Sequence, residues 1–154
     1  MMMIRVLLIA AAVLATLAGA AGAVGSRQDA AVTARSAAAE LQLAPSVAGG
    51  PRGVGLFRQT GASLRGWIVV WGLDARSKHA VHFHGPESAC GEKADPVAAH
   101  ADLKADSKGV AYARVAVRSR IQVLRKGFYY NVHQKPSTAS QNPETACGNV
   151  VPIS

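Results

Sequence analysis

The chain has 154 residues and carries 17 lysines and arginines against nine acidic residues, a formal net charge of +8. A basic surface suits nucleic acid, acidic lipid or small anions, and its plainest interpretation is a solvated basic face. The sequence contains no helix-turn-helix, zinc-finger or RNA-binding signature, so nucleic acid is not an expected partner. A more specific hypothesis is that the positive electrostatic field of this surface attracts a small anionic substrate.

The first 23 residues have the features of a secretory signal peptide. Arg5 precedes an apolar run at residues 6–17, and small-residue cleavage sites end at Ala20 and Ala23. The run is short and alanine-rich for a membrane span, so we expect cleavage, export to the bacterial periplasm and no stable membrane association afterwards. An uncleaved membrane anchor is the alternative. Residues 24–35 are predicted to be a flexible mature N-terminus, and residues 36–154 a single domain.

Short runs of alternating apolar and polar residues dominate the rest of the chain. They predict strands at residues 36–43, 53–59, 63–73, 79–85, 110–117, 127–133 and 147–153. The first of these could equally be a helical turn, and the turn at residues 60–62 predicts a hairpin. Residues 86–105 show no period and are predicted to form a long functional loop. Because helical periodicity is nearly absent, we expect an all-β sandwich or Greek-key barrel.

The third predicted strand carries both tryptophans of the chain on one face. Trp67 and Trp71 are four residues apart, so they point the same way from an extended strand. We interpret them as packing residues, with a stacking platform for a ligand as the alternative.

The strand at residues 79–85 reads His-Ala-Val-His-Phe-His-Gly. Alternate side chains of a strand share a face, so His82 and His84 point one way while Val81 and Phe83 point the other. One face therefore suits a core, and the other offers two imidazoles. Neutral imidazoles are ligands for zinc, copper, iron and nickel.

Two of the three remaining histidines are candidate partners for this pair. His133 lies on a later predicted strand, and His100 lies in the long loop. His79 lies off the paired face, and we expect it to make a structural hydrogen bond rather than bind metal. The four candidate ligands come from distant parts of the chain, so only folding could bring them together.

The chain contains two cysteines, Cys90 and Cys147. An even count in an exported chain favours one disulfide, with free or metal-bound thiols as the alternative. Such a bond would close a loop of about 58 residues and stabilise the fold by about 4 kcal/mol on the chain-entropy model.

Four motifs, taken in chain order, resemble those of a known family. They are His79-Ala80-Val81-His82-Phe83-His84-Gly85, Ala101-Asp102-Leu103 with Asp106-Ser107-Lys108-Gly109-Val110-Ala111, Val132-His133-Gln134-Lys135, and Ala146-Cys147-Gly148-Asn149-Val150. In these motifs the chain resembles the copper/zinc superoxide dismutase family over residues 38–153.

The resemblance implies an eight-stranded Greek-key β-barrel and a copper site. It assigns His82, His84 and His133 as copper ligands, and His100 as the histidine that joins copper and zinc. It also pairs Cys90 with Cys147, as in the family. The implied reaction is disproportionation of superoxide to oxygen and hydrogen peroxide, with the superoxide anion as the small-molecule substrate.

The chain departs from the family in three respects. Of the family's further zinc ligands only Asp102 remains, and no histidine lies between His100 and His133, so a zinc site is doubtful. Glu144 stands where the family has its active-site arginine. The loop that guides the anion is mostly missing, and the pattern resembles the copper-only branch of the family.

Two other functions compete with a dismutase. The first is a non-catalytic periplasmic copper-binding protein for storage, delivery or tolerance, favoured by Glu144 and the short guide loop. The second is a sandwich without metal, used for adhesion or structure. The oligomeric state is left open.

Overall fold

The computed structural model describes residues 36–139 and 142–153. The expected signal peptide at residues 1–23 and the expected flexible segment at residues 24–35 lie outside this part of the chain. Within the described part, no helix has the length and hydropathy needed to cross a membrane.

The described residues form eleven β-strands. They are β1 Ser36–Pro45, β2 Arg52–Thr60, β3 Ser63–Trp71, β4 Lys78–His79, β5 Val81–His84, β6 Pro96–Ala99, β7 Leu103–Lys104, β8 Ala111–Arg118, β9 Tyr129–His133, β10 Glu144–Asn149 and β11 Val151–Ile153. The first stretch is thus a strand and not a helical turn, and β2 and β3 form the predicted hairpin.

One antiparallel sheet contains nine of the strands. Its order is β6-β5-β9-β10-β1-β2-β3-β8, with β11 paired to β1, while β4 and β7 pair separately. The outermost strands β6 and β8 contact each other, so the sheet nearly closes into a barrel. The connections from β3 to β5 and from β8 to β9 join strands that are not neighbours, as in a Greek key. The predicted all-β barrel is confirmed.

The barrel interior is filled by the inward residues of the alternating strands. Phe57 of β2, Phe83 of β5 and Tyr130 of β9 meet at its centre, with ring centroids 5.3 Å apart for Phe57–Phe83 and 5.0 Å for Phe83–Tyr130. All three are almost fully buried. Burial of an aromatic side chain of this size contributes about 2–3 kcal/mol. This core holds β5 and β9, which carry the histidines, in fixed positions.

The structure corrects three strand predictions. The predicted strand at residues 79–85 is divided at Ala80 into β4 and β5, which lie in different sheets. The stretch 86–105 is not one irregular loop, since it contains β6 and β7. The sequence did not predict β6 because its two end residues are exposed, its two middle residues are half-buried, and no alternation results; its pairing to β5 defines it. The last predicted strand begins earlier, at Glu144, and is divided at Val150, whose N–H bonds to the carbonyl of Phe128.

The packing role predicted for the tryptophans is wrong. Trp67 and Trp71 are 38% and 41% exposed on the outer face of β3. The inner positions of the same strand belong to Leu64, Ile68 and Val70, which are fully buried. Because residues of opposite parity point to opposite faces of a strand, the tryptophans must point outward.

The disulfide predicted from the cysteine count is present. The sulfurs of Cys90 and Cys147 are 2.04 Å apart, across a sequence separation of 57. Cys147 lies on β10, so the bond attaches the segment after β5 to the barrel wall. The backbone N–H of Cys90 also donates to the side chain of Asn149, 3.0 Å away.

Candidate metal centre

Three histidines converge on the outer wall of the barrel where β5 and β9 run side by side. His82 and His84 share a face of β5, and His133 ends β9, the strand paired with β5. One ring nitrogen from each of the three lies within 4.8 Å of the others. Val81 and Phe83 point into the core, as the alternation predicts.

Backbone carbonyls fix the tautomers of two of these rings. The Nδ1 of His84 donates to the carbonyl of Ala94 at 2.7 Å, and the Nδ1 of His133 donates to the carbonyl of Asn142 at 2.6 Å. A carbonyl only accepts, so each Nδ1 carries the proton and each Nε2 carries the lone pair. Metal-bound histidines typically have their second nitrogen held in this way.

The remaining nitrogens fit a metal ion. The Nε2 of His133 is buried and has no hydrogen-bond partner. The Nδ1 of His82 lies 2.8 Å from the Nε2 of His84. Two nitrogens bound to one ion at right angles, each at about 2.0 Å, are also about 2.8 Å apart. A lone pair that is buried without a partner is costly unless an ion or water satisfies it.

The local environment keeps the imidazoles neutral. The pKa of His82 is lowered from 6.5 to about 4, first by burial and then by the neighbouring rings of His133, His84 and His100. Burial also lowers the pKa of His84, against the opposing effects of the Ala94 hydrogen bond and nearby carboxylates. Only the neutral ring offers a lone pair, so these shifts favour metal binding at neutral pH.

His79 is occupied by hydrogen bonds on both ring nitrogens. Its Nδ1 donates to the backbone carbonyl of His133 at 2.7 Å, and its Nε2 lies 2.5 Å from the hydroxyl of Ser77. The side chain is only 3% exposed. The ring therefore fixes the position of the residue that supplies the third candidate ligand.

His100 lies outside the group of three. Its Nδ1 donates to the carbonyl of Ala101 at 2.8 Å, so its Nε2 accepts a hydrogen bond from the hydroxyl of Tyr130, 2.6 Å away. The two rings also stack, with centroids 5.9 Å apart. The structure thus brings together three of the four expected copper ligands. The role of His100 as a fourth ligand stays a prediction.

Asp102 is also apart from the three histidines. Its carboxylate oxygens accept the backbone N–H of Ser137 at 3.2 and 3.4 Å. The described residues that cluster as metal donors do not include Asp102 or His100. In the described part of the chain, Asp102 belongs to no group of three or more metal donors, and its role as a residual zinc ligand stays a prediction.

A cleft of about 670 Å³ opens beside His84. Sequence reasoning did not identify most of its lining. The lining includes Tyr129 and Asn131, and its charged residues are Glu92, Asp95, Glu144 and one lysine, Lys93. Asn131 is buried, and its side-chain oxygen has no hydrogen-bond partner. The alternation along β9 could have identified two of these residues, because Tyr129 and Asn131 share the face of the strand that carries His133. The acidic character of the lining required the folded structure.

Comparison with known proteins adds no assignment. Neither the models of protein families nor the curated proteins contain a match to this chain. What is shown is therefore an all-β barrel with a disulfide and a histidine group that could hold a metal ion.

Proposed function

We propose that this chain is an exported copper-binding protein of the superoxide dismutase type, with His82, His84 and His133 as the copper ligands. The observation that supports this most strongly is the buried, unpartnered Nε2 of His133 beside the nitrogens of the other two rings. Three neutral imidazoles without a thiolate suit copper. The motif resemblance favours copper over the other metals that imidazole binds.

Copper bound there would supply a one-electron couple that oxidises one superoxide to oxygen and reduces a second to hydrogen peroxide. The protein's part is to hold the ligands. The carbonyls of Ala94 and Asn142 orient two rings, and Tyr129 stacks on His84 with ring centroids 4.9 Å apart. The cleft beside His84 admits a small molecule.

The acidic lining of the cleft favours a second candidate function. Three carboxylates, at Glu92, Asp95 and Glu144, outnumber the single cationic side chain of the lining, Lys93, so the cleft repels an anion and attracts a cation. This field suits a protein that takes up and passes on copper ions. Copper storage or delivery is therefore the second function that we propose.

The deciding experiment begins with the metal content of the exported protein, measured by mass spectrometry. Superoxide decay after pulse radiolysis then gives the rate. About one copper per chain with decay well above the protein background supports the dismutase. Copper without dismutation, but with transfer to a copper-free acceptor protein, supports the carrier. The absence of copper would overturn both proposals.

Two variants assign the site in the same experiment. His133→Ala should lose the copper, because it removes the unpartnered donor. Gln134→Ala changes the exposed neighbouring residue and should retain it. Equal copper content in the two variants would place the metal elsewhere.

A further inference from the structure

An outward face of the barrel, on β2, β3 and β8, combines exposed aromatic and aliphatic side chains. Strand pairing places Leu56 beside Trp67, and Val69 beside both Val54 and Tyr112. Neighbouring strands lie about 4.8 Å apart, so these side chains form one continuous surface. Leu56 is 42% exposed and Tyr112 58% exposed. A contiguous exposed apolar surface rimmed by polar residues is typical of an interaction site.

Five arginines surround this apolar surface. Arg52 and Arg58 flank it on β2, Arg65 lies beyond Trp67 on β3, and Arg114 and Arg118 are on β8. All five are exposed. We call the apolar surface and these arginines together the arginine–tryptophan face.

Positive charge predominates on this face. Among β1, β2, β3 and β8 the only acidic residue is Glu40, which is exposed and pairs with Leu56 at the edge of the face, so the five arginines outnumber it. Arg58 donates to the hydroxyl of Ser36 at 3.0 Å, and Arg114 to the hydroxyl of Tyr112 at 3.3 Å. Both acceptors are neutral, so the arginines keep their charge for a partner.

We propose that the arginine–tryptophan face binds the surface of a membrane rich in anionic phospholipid. A second copy of the same face would meet it with like charge, so self-association through it is disfavoured. Arginine binds phosphate through a planar fork, and tryptophan and tyrosine favour the boundary between lipid headgroups and hydrocarbon. Aliphatic Val54 and Leu56 suit hydrocarbon better than a polar polymer such as a nucleic acid or an acidic polysaccharide.

Peripheral binding of this kind differs from a membrane span. It depends on about five basic residues and a small apolar contact, so it is reversible and weakened by salt. It does not use the histidine group or the acidic cleft. The proposal therefore stands independently of the metal and of the proposed function.

Tryptophan fluorescence tests the proposal directly, because both tryptophans of the chain lie on this face. The exported protein is mixed with vesicles of phosphatidylcholine containing 30% phosphatidylglycerol, or with phosphatidylcholine alone. We expect a blue shift and cosedimentation with the anionic vesicles, release in high salt, and quenching by brominated acyl chains. Stronger binding to an acidic polysaccharide than to the vesicles would overturn the lipid assignment.

A pair of triple variants supplies the control for charge. Arg52, Arg58 and Arg65 are changed to Gln in one protein, and the exposed Lys78, Lys104 and Lys108 are changed to Gln in the other. The total charge is the same in both. We expect binding about 100-fold weaker for the arginine variant than for the lysine variant, since each basic residue near an anionic surface contributes about fivefold. Equal weakening in both variants would refute a specific face.

A variant of the apolar part separates insertion from simple charge attraction. Leu56→Gln leaves both tryptophans and all the arginines in place. We expect weaker vesicle binding and reduced quenching by brominated lipid, with the far-ultraviolet circular dichroism unchanged. Undiminished quenching in a folded Leu56→Gln protein would count against contact between this face and hydrocarbon.

Discussion

His79 donates a hydrogen bond from its Nδ1 to the backbone carbonyl of His133, 2.7 Å away. The first histidine of the strand motif thus holds the residue that supplies the third candidate ligand. A second hydrogen bond joins the same two segments of the chain: the backbone N–H of His133 donates to the carbonyl of Ala80 at 2.9 Å. The motif therefore contains two kinds of histidine, one that positions a strand and two that face the candidate metal.

Replacing His79 with Ala should destabilise the protein and weaken the site. The change leaves a cavity and an unpaired buried carbonyl, so we expect a loss of about 2–4 kcal/mol in the free energy of unfolding. Copper should still bind, but about 10- to 100-fold more weakly, because His133 is less well oriented. Urea denaturation and copper titration measure the two effects. Lys78→Ala, at the exposed neighbouring position, should change neither.

His100 and Tyr130 should behave as a coupled structural pair. His100→Ala removes the acceptor of a fully buried hydroxyl, so we expect a loss of about 1–3 kcal/mol with one copper still bound. Tyr130→Phe removes the donor instead. A double-mutant cycle should show that the two changes are not additive. Loss of copper from His100→Ala would instead establish it as a ligand.

Glu144 should slow the approach of an anion to the cleft. Its Oε1 accepts a hydrogen bond from the hydroxyl of Ser46 at 2.5 Å, and its charge remains beside His84. Glu144→Gln should raise the dismutation rate severalfold, and Glu144→Arg should raise it further at low ionic strength. Pulse radiolysis at several salt concentrations gives the comparison. Asp74→Asn makes the same change in charge on an exposed turn and should leave the rate unaltered.

The metal-free protein should lose stability in mild acid. The pKa of His82 falls from 6.5 to about 4 on folding because the ring is buried, so the unfolded chain takes up its proton first as the pH drops. The stability contributed by the neutral ring is present above pH 6.5 and is lost progressively toward pH 4. Urea denaturation at pH 7, 5.5 and 4.5 should show this decline. In His82→Asn the decline should be smaller, and a decline of unchanged size would assign it to other groups.

Gly85 should tolerate no side chain at the end of β5. Its φ is +143°, and an added Cβ would lie 2.6 Å from the ring of Phe128. Gly85→Ala should therefore cost at least about 2 kcal/mol of stability, from backbone strain and crowding together. Gly61 also has a positive φ, of +54°, but has open space around it. Gly61→Ala should cost only about 1 kcal/mol, and thermal unfolding of the two variants gives the comparison.

Much of the fold was determined by the sequence alone. The alternation of apolar and polar residues is a local property of an extended chain, so it predicted β1, β2, β3, β8 and β9 and the residues that share each face of them. The same rule placed His82 and His84 on one face of β5. Two cysteines allow only one intramolecular disulfide, and the structure contains it. The resemblance to superoxide dismutases and the copper assignment stay predictions.

Only the tertiary structure decided what surrounds these residues. His133 lies beside His82 because β5 and β9 pair, and the alternation within each strand does not predict which distant strand it pairs with. The hydroxyl of Tyr130 holds His100 apart from them, and three carboxylates line the cleft, because barrel closure brings separate segments together. The tryptophans face outward because a single sheet has one buried side, which Leu64, Ile68 and Val70 already fill. Local geometry thus fixed which side chains share a face of a strand, and long-range packing fixed which face is buried and which residues it contacts.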